Sequence, residues 1–121
     1  MPARVVVVQD VSEGLPPLVV SLKARGYDVA LFASPIRALN DIETTPQTDV
    51  LIAQMQPPTA GRQGVLALAR MARSKNPAVL IILTGHHSLA SLADGWGEFL
   101  HEPLDPEEIA NTVARMLREL G

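Results

Sequence analysis

Thr48-Asp49-Val50-Leu51-Ile52-Ala53-Gln54 is an apolar run that closes on a carboxamide, and Pro57-Pro58 and a glycine-bearing loop follow it. Its lack of polar alternation predicts a strand over Asp49–Ala53 that is buried on both faces. Arg4-Val5-Val6-Val7-Val8 has the same character and closes on Gln9 and Asp10. Tyr27 to Phe32 reads as a second strand, Ala78 to Leu83 as a fourth, buried strand and Glu98 to His101 as a short fifth. Between them the apolar residues recur at helical spacing. Leu15, Leu18, Val19 and Leu22 form one stripe, and Ile36, Leu39 and Ile42 a second. Val65, Leu68, Ala69 and Ala72 form a third, and Ile109, Val113, Met116 or Leu117, and Leu120 the last.

The punctuation agrees with this alternation. A first helix is expected from near Leu15 to Arg25, with Gly26 as its C-terminal cap. Ser34-Pro35 places an N-cap before proline at the first position of a second helix, which runs to about Glu43. A third helix is expected over Gln63–Ser74, and Asn76-Pro77 ends it. Asp105-Pro106-Glu107-Glu108 combines an acidic N-cap, a proline and a capping-box glutamate at the start of the final helix. The stretch from Gly85 to Gly97 has room for only one or two helical turns, near Ser88–Asp94.

Fully apolar strands alternating with amphipathic helices imply an α/β fold with a parallel sheet covered on both faces. The expected architecture is a flavodoxin-like three-layer sandwich with strand order 2-1-3-4-5 and a shortened fourth helix. At 121 residues and 47% hydrophobic content the chain fits one domain, 1–121, with a real core.

Composition removes several function classes. A net charge of −3 with no Lys/Arg run leaves no basic face for nucleic acid or an anionic membrane. Aromatics at 3% offer no base-stacking platform. The absence of cysteine excludes disulfides, thiolate catalysis and cysteine-based zinc sites. No apolar run is long enough to span a bilayer and no signal peptide is visible, so a cytoplasmic setting is expected.

The ends of the strands carry a resemblance. Val7-Val8-Gln9-Asp10, Gly26-Tyr27-Asp28-Val29, Asp49 to Gln54 with Pro58, Leu83-Thr84-Gly85 and Phe99-Leu100-His101-Glu102-Pro103-Leu104 lie in order along the chain. In that order and at that spacing the chain resembles the receiver domain of bacterial two-component response regulators, from Arg4 to Leu120. The resemblance implies a phosphorelay signalling module. It also implies a pocket in which an aspartate takes a phosphoryl group with Mg²⁺ and a lysine alongside.

Within that resemblance Asp10 matches one member of the family's acidic pair, while Gln9 stands at the other. Gln54 occupies the phosphoacceptor position, and a carboxamide cannot form an acyl phosphate. Glu102 occupies the lysine position and inverts its charge. At ~4 Å two unit charges interact by about 1 to 4 kcal/mol, so the change turns attraction for a phosphoryl group into repulsion. Thr84 keeps the hydroxyl and Phe99 the aromatic switch position. The expected reading is a degenerate pseudo-receiver, not an enzyme, with no cofactor and a poor Mg²⁺ site.

Its expected partner is a protein: a histidine kinase, another regulator or an output domain. A ligand or ion bound at the repurposed strand-end pocket, through Gln9, Gln54, Gln56, Thr84 and Glu102, is the alternative. His86, His87 and His101 lie near one rim, but adjacent loop histidines are expected to point apart, so no metal site is assigned to them. Trp96, flanked by Gly95 and Gly97, is read as a plug over the shortened fourth helix, with an exposed binding anchor as the alternative.

Overall fold

A computed structural model describes residues 2–9, 16–44, 47–55, 64–102 and 104–120. The described residues form five parallel strands: β1 (Arg4–Val8), β2 (Asp28–Phe32), β3 (Val50–Gln54), β4 (Leu80–Gly85) and β5 (Glu98–His101). Their order in the sheet is β2-β1-β3-β4-β5. Four α-helices connect or follow them: α1 (Pro17–Ala24), α2 (Pro35–Thr44), α3 (Gly64–Lys75) and α4 (Pro106–Leu120). The fourth connection is a seven-residue 3₁₀ helix, His87–Ala93. This is the expected flavodoxin-like arrangement.

Strand alternation builds two hydrophobic layers. Val5, Val7, Val50, Ile52 and Ile82 meet Leu18 and Leu22 of α1 and Ile109, Ala110 and Val113 of α4. Val6, Val8, Leu51, Ala53, Ile81 and Leu83 meet Ala38 and Ile42 of α2, the α3 stripe Val65, Leu68, Ala69 and Ala72, and Leu89 and Ala93 of the 3₁₀ helix. The central strands are buried on both sides, which is why they carry no polar alternation.

The helix ends follow their chemistry. Pro16 is extended, because the residue before a proline is pushed out of the helical region, so α1 starts at Pro17 and not near Leu15. Leu15 lies outside the described residues. The amide of Gly26 closes the end of α1 on the Lys23 carbonyl, and Gly26 sits at φ +89°. The Ile36 amide donates to Ser34 Oγ at 3.2 Å, and the Glu107 amide donates to Asp105 Oδ1 at 3.0 Å.

Two further expectations are corrected. Ile36 is 79% exposed, whereas Ala38 and Ile42 are buried. The buried stripe of α2 is centred on small Ala38, which lets the helix approach the sheet and turns Ile36 outward. β4 begins at Leu80 and not at Ala78. Asn76 holds the preceding turn, its Oδ1 accepting from the Ala78 amide and its carbonyl accepting from the Val79 amide.

The 3₁₀ connection ends in a tight approach to β4. Gly97 has φ +136°, and a Cβ there would stand 2.2 Å from the Ile81 carbonyl oxygen, so only glycine fits. Arg73 of α3 pins this turn. It donates to the Trp96 carbonyl at 2.9 Å, and its guanidinium lies 4.7 Å from the Trp96 ring centroid. Trp96 itself packs half-buried against the α2/α3 layer, as a plug would.

Candidate functional site

The carboxyl ends of the parallel strands converge on one rim, where open α/β sheets bind ligands. Gln54 is the last residue of β3 and stands in register with Thr84 of β4. The Glu102 amide, just past β5, donates to the Gly85 carbonyl at 2.8 Å, which fixes its place beside β4. Gln9 follows Val8, the register partner of Ala53, and its amide donates to the Phe32 carbonyl at 3.0 Å. It therefore stands level with Gln54.

Period-2 alternation decides which of these residues share a face. Ile52 and Ile82 point into the α1/α4 layer, so Gln54 and Thr84, two residues on, lie on that side. Glu102 follows Leu100 in the same way, and Gln9 follows Val7. Four of the sequence-identified positions therefore share one face of the rim. Phe99 does not. It is in register with Leu83 and packs with it into the opposite layer. Asp10 lies outside the described residues, as do Gln56, Pro58 and Pro103, and with them the geometry of the Glu102–Pro103 bond.

Gln54 and Glu102 make direct contact. The Gln54 carboxamide donates from Nε2 to Glu102 Oε1 at 3.5 Å, a long hydrogen bond that spans β4. Thr84, in register with Gln54, is only 3% exposed. Its carbonyl accepts from the Met55 amide at 2.7 Å, holding the chain beyond β3 onto β4. No buried side-chain nitrogen or oxygen among the described residues lacks a hydrogen-bond partner. The described donors here are two carboxamides, a buried hydroxyl and one carboxylate already bonded to Gln54. Asp10, the other carboxylate of the sequence-identified set, lies outside the described residues, and among the described residues no group of three or more His, Asp or Glu is placed to hold a metal ion.

The histidines are placed differently from expectation. The rings of His86 and His87 do not diverge: their centroids are 4.2 Å apart with 34° between the planes. His86 is the N-cap of the 3₁₀ helix, and its ring is held by its own neighbour, Ser88. His101 is exposed, and its Nδ1 lies 3.1 Å from the Glu102 carbonyl oxygen. Capping by histidine has no distinctive sequence signal, because Ser, Thr, Asp and Asn dominate that position. On the β5/α4 face Arg115 joins Glu98 at 3.0 Å and Glu119 at 3.2 Å. The hydrogen bonds to Glu98 and then Glu119 hold its guanidinium above the ordinary arginine range.

This fold is that of receiver domains. The chain is similar in structure to the response regulator receiver protein of Sinorhizobium medicae WSM419, at 20% identity over 99% of this chain and 98% of that one, with TM-score 0.79. It is similar to the chemotaxis response regulator CheY4 of Vibrio cholerae, at 22% identity over 96% and 99%, with TM-score 0.74. A third similar structure comes from a family of redox sensors in the streptococci that evolved from two-component response regulators. It shares 16% identity over 97% of this chain and 52% of that one, with TM-score 0.80. No protein-family model and no curated protein matches the chain. At these identities the shared property is the fold, and function has to be argued from the rim.

Proposed function

We propose that this chain is a receiver-like signalling module of a two-component or phosphorelay system that is not phosphorylated at the β3 position and acts by binding another protein. The observation that carries this reading is the Gln54–Glu102 contact. The side chain at the acceptor position is an amide, and its partner at the cation position is a carboxylate. Phosphoryl transfer to an aspartate needs a nucleophilic carboxylate and positive charge on the transferring group. This rim offers neither at those positions, and a phosphoryl group brought there would face Glu102.

What remains is a well-packed scaffold whose surfaces can recognise a partner: a histidine kinase, another regulator or an output domain. Magnesium has no step in this scheme, and a cytoplasmic setting suits it. The streptococcal redox sensors, described as evolved from response regulators, are a precedent for this fold leaving its original role.

The test is capture of binding partners with the immobilised chain, in parallel with and without acetyl phosphate and Mg²⁺. The same partner is expected at the same yield in both arms, and Gln54→Ala should leave that yield unchanged. A partner retained only when the phosphodonor is present would refute the proposal.

A further inference from the structure

The start of the 3₁₀ helix carries chemistry that the strand-end rim does not use. Runs of 3₁₀ helix beyond three or four residues are uncommon because their hydrogen-bond geometry is poor, and this one has seven residues. Its first turn relies on two bonds from the same residue. The Leu89 amide donates to the His86 carbonyl at 2.9 Å, and the Ser88 amide donates to His86 Nδ1 at 3.2 Å. The cap is thus an imidazole nitrogen, an acceptor only while it carries no proton.

We propose that this imidazole makes the fourth connection proton-sensitive: protonation of His86 withdraws the cap and loosens the first turn of the 3₁₀ helix. Two groups of Ser88 meet Nδ1, and they respond differently. The hydroxyl, at 2.8 Å, can rotate and accept from a protonated Nδ1. The amide has no such freedom, and its hydrogen would then face another hydrogen. The capping bond therefore selects the tautomer with its proton on Nε2 and is lost in the imidazolium. Placing positive charge at the start of a helix acts in the same direction.

Among the described residues little offsets that loss. His87 stacks on His86 at 4.2 Å, so charging both rings sets two like charges in contact. From β5, His101 is level with Gly85, and Glu102 engages Gln54. From β4 the adjoining residues are Thr84 and Gly85, neither titratable. Asp94 and the Arg73–Trp96 contact belong to the far end of the connection. Arg62 lies outside the described residues. Histidine is in general the side chain suited to gaining and losing a proton under physiological conditions. Leu89, buried against Gly85, and Ala93 tie the helix to the core, which confines the loosening to its first turn.

The experiment is amide hydrogen exchange by NMR at pH 7.5 and 5.5, corrected for intrinsic rates, on the wild type, His86→Asn and His86→Ala. Asparagine caps without titrating. Protection of the Ser88 amide in the wild type should fall about fivefold on acidification, the change expected when a cap is lost. His86→Asn should keep its protection at both values, and His86→Ala should lack it at both. A wild-type Ser88 amide indifferent to pH, or an equal fall in His86→Asn, overturns the proposal. The readout involves neither phosphodonor nor partner, so it stands apart from the functional reading above.

Discussion

Replacing Gly97 by alanine probes the junction that fixes β5, and with it Glu102, beside the rest of the sheet. Two costs can be worked from the geometry. At φ +136° an L-residue is strained, at about 1–3 kcal/mol. In addition, the new Cβ would lie 2.2 Å from the Ile81 carbonyl oxygen and 3.1 Å from its carbonyl carbon. Both atoms belong to the backbone of a central strand, so no side chain can rotate away. The start of β5 must retreat by about 1 Å, which strips one or two ladder bonds near the Ile82–Glu98 pair at about 1 kcal/mol each.

The total is about 2–5 kcal/mol, a large part of the ~5–15 kcal/mol typical of a domain. Gly95→Ala is the matched control. Gly95 has φ +85°, but its Cβ would meet nothing within 4 Å, so only backbone strain of about 1–2 kcal/mol applies. Urea unfolding followed by far-UV circular dichroism, with the single Trp96 as a fluorescence probe, measures both. If Gly97→Ala is no more destabilising than Gly95→Ala, the close approach to Ile81 does not limit this site and the reasoning fails.

Other outcomes follow from the same packing. Arg4→Ala removes a 2.7 Å ion pair to Asp41 and a 3.3 Å bond to Thr48 Oγ1, with both charged side chains about four-fifths shielded. It should cost about 1–2 kcal/mol by denaturant titration, and Arg4→Lys should recover less than half, since a point charge cannot serve both partners. Ile82→Ala, in the centre of the sheet, should cost about 2–5 kcal/mol. Ile36→Ser should change stability by less than ~0.5 kcal/mol despite removing an isoleucine, because that side chain is already in solvent. A large loss in Ile36→Ser would show that α2 is rotated from the position described.

The inner strands were legible in the sequence because burial on both faces demands unbroken apolar runs, and β1 begins and ends where the sequence places it. The helix starts at Ser34-Pro35 and Asp105-Pro106 were legible because capping and proline chemistry are local. Period-2 alternation is also local, so the shared face of Gln9, Gln54, Thr84 and Glu102 follows from where each strand ends. What escaped is set by tertiary packing. The inward face of α2 depends on how closely Ala38 lets the helix approach the sheet, and the periodicity of Ile36, Leu39 and Ile42 does not contain that distance. The position of Phe99, grouped with the rim residues in sequence, is fixed by its odd register against Leu83. The His86–His87 contact accompanies a capping bond that histidine seldom makes.

The proposed function requires that this rim, with Gln54 and Glu102, take no phosphoryl group. Its most direct test is the intact mass of the purified chain after incubation with excess acetyl phosphate and Mg²⁺, beside a receiver domain that keeps its aspartate and lysine. The account predicts a shift by one phosphoryl group in the comparison protein and an unchanged mass here. A phosphorylated population of this chain, mapped by fragmentation to any residue of the strand-end rim, would contradict it.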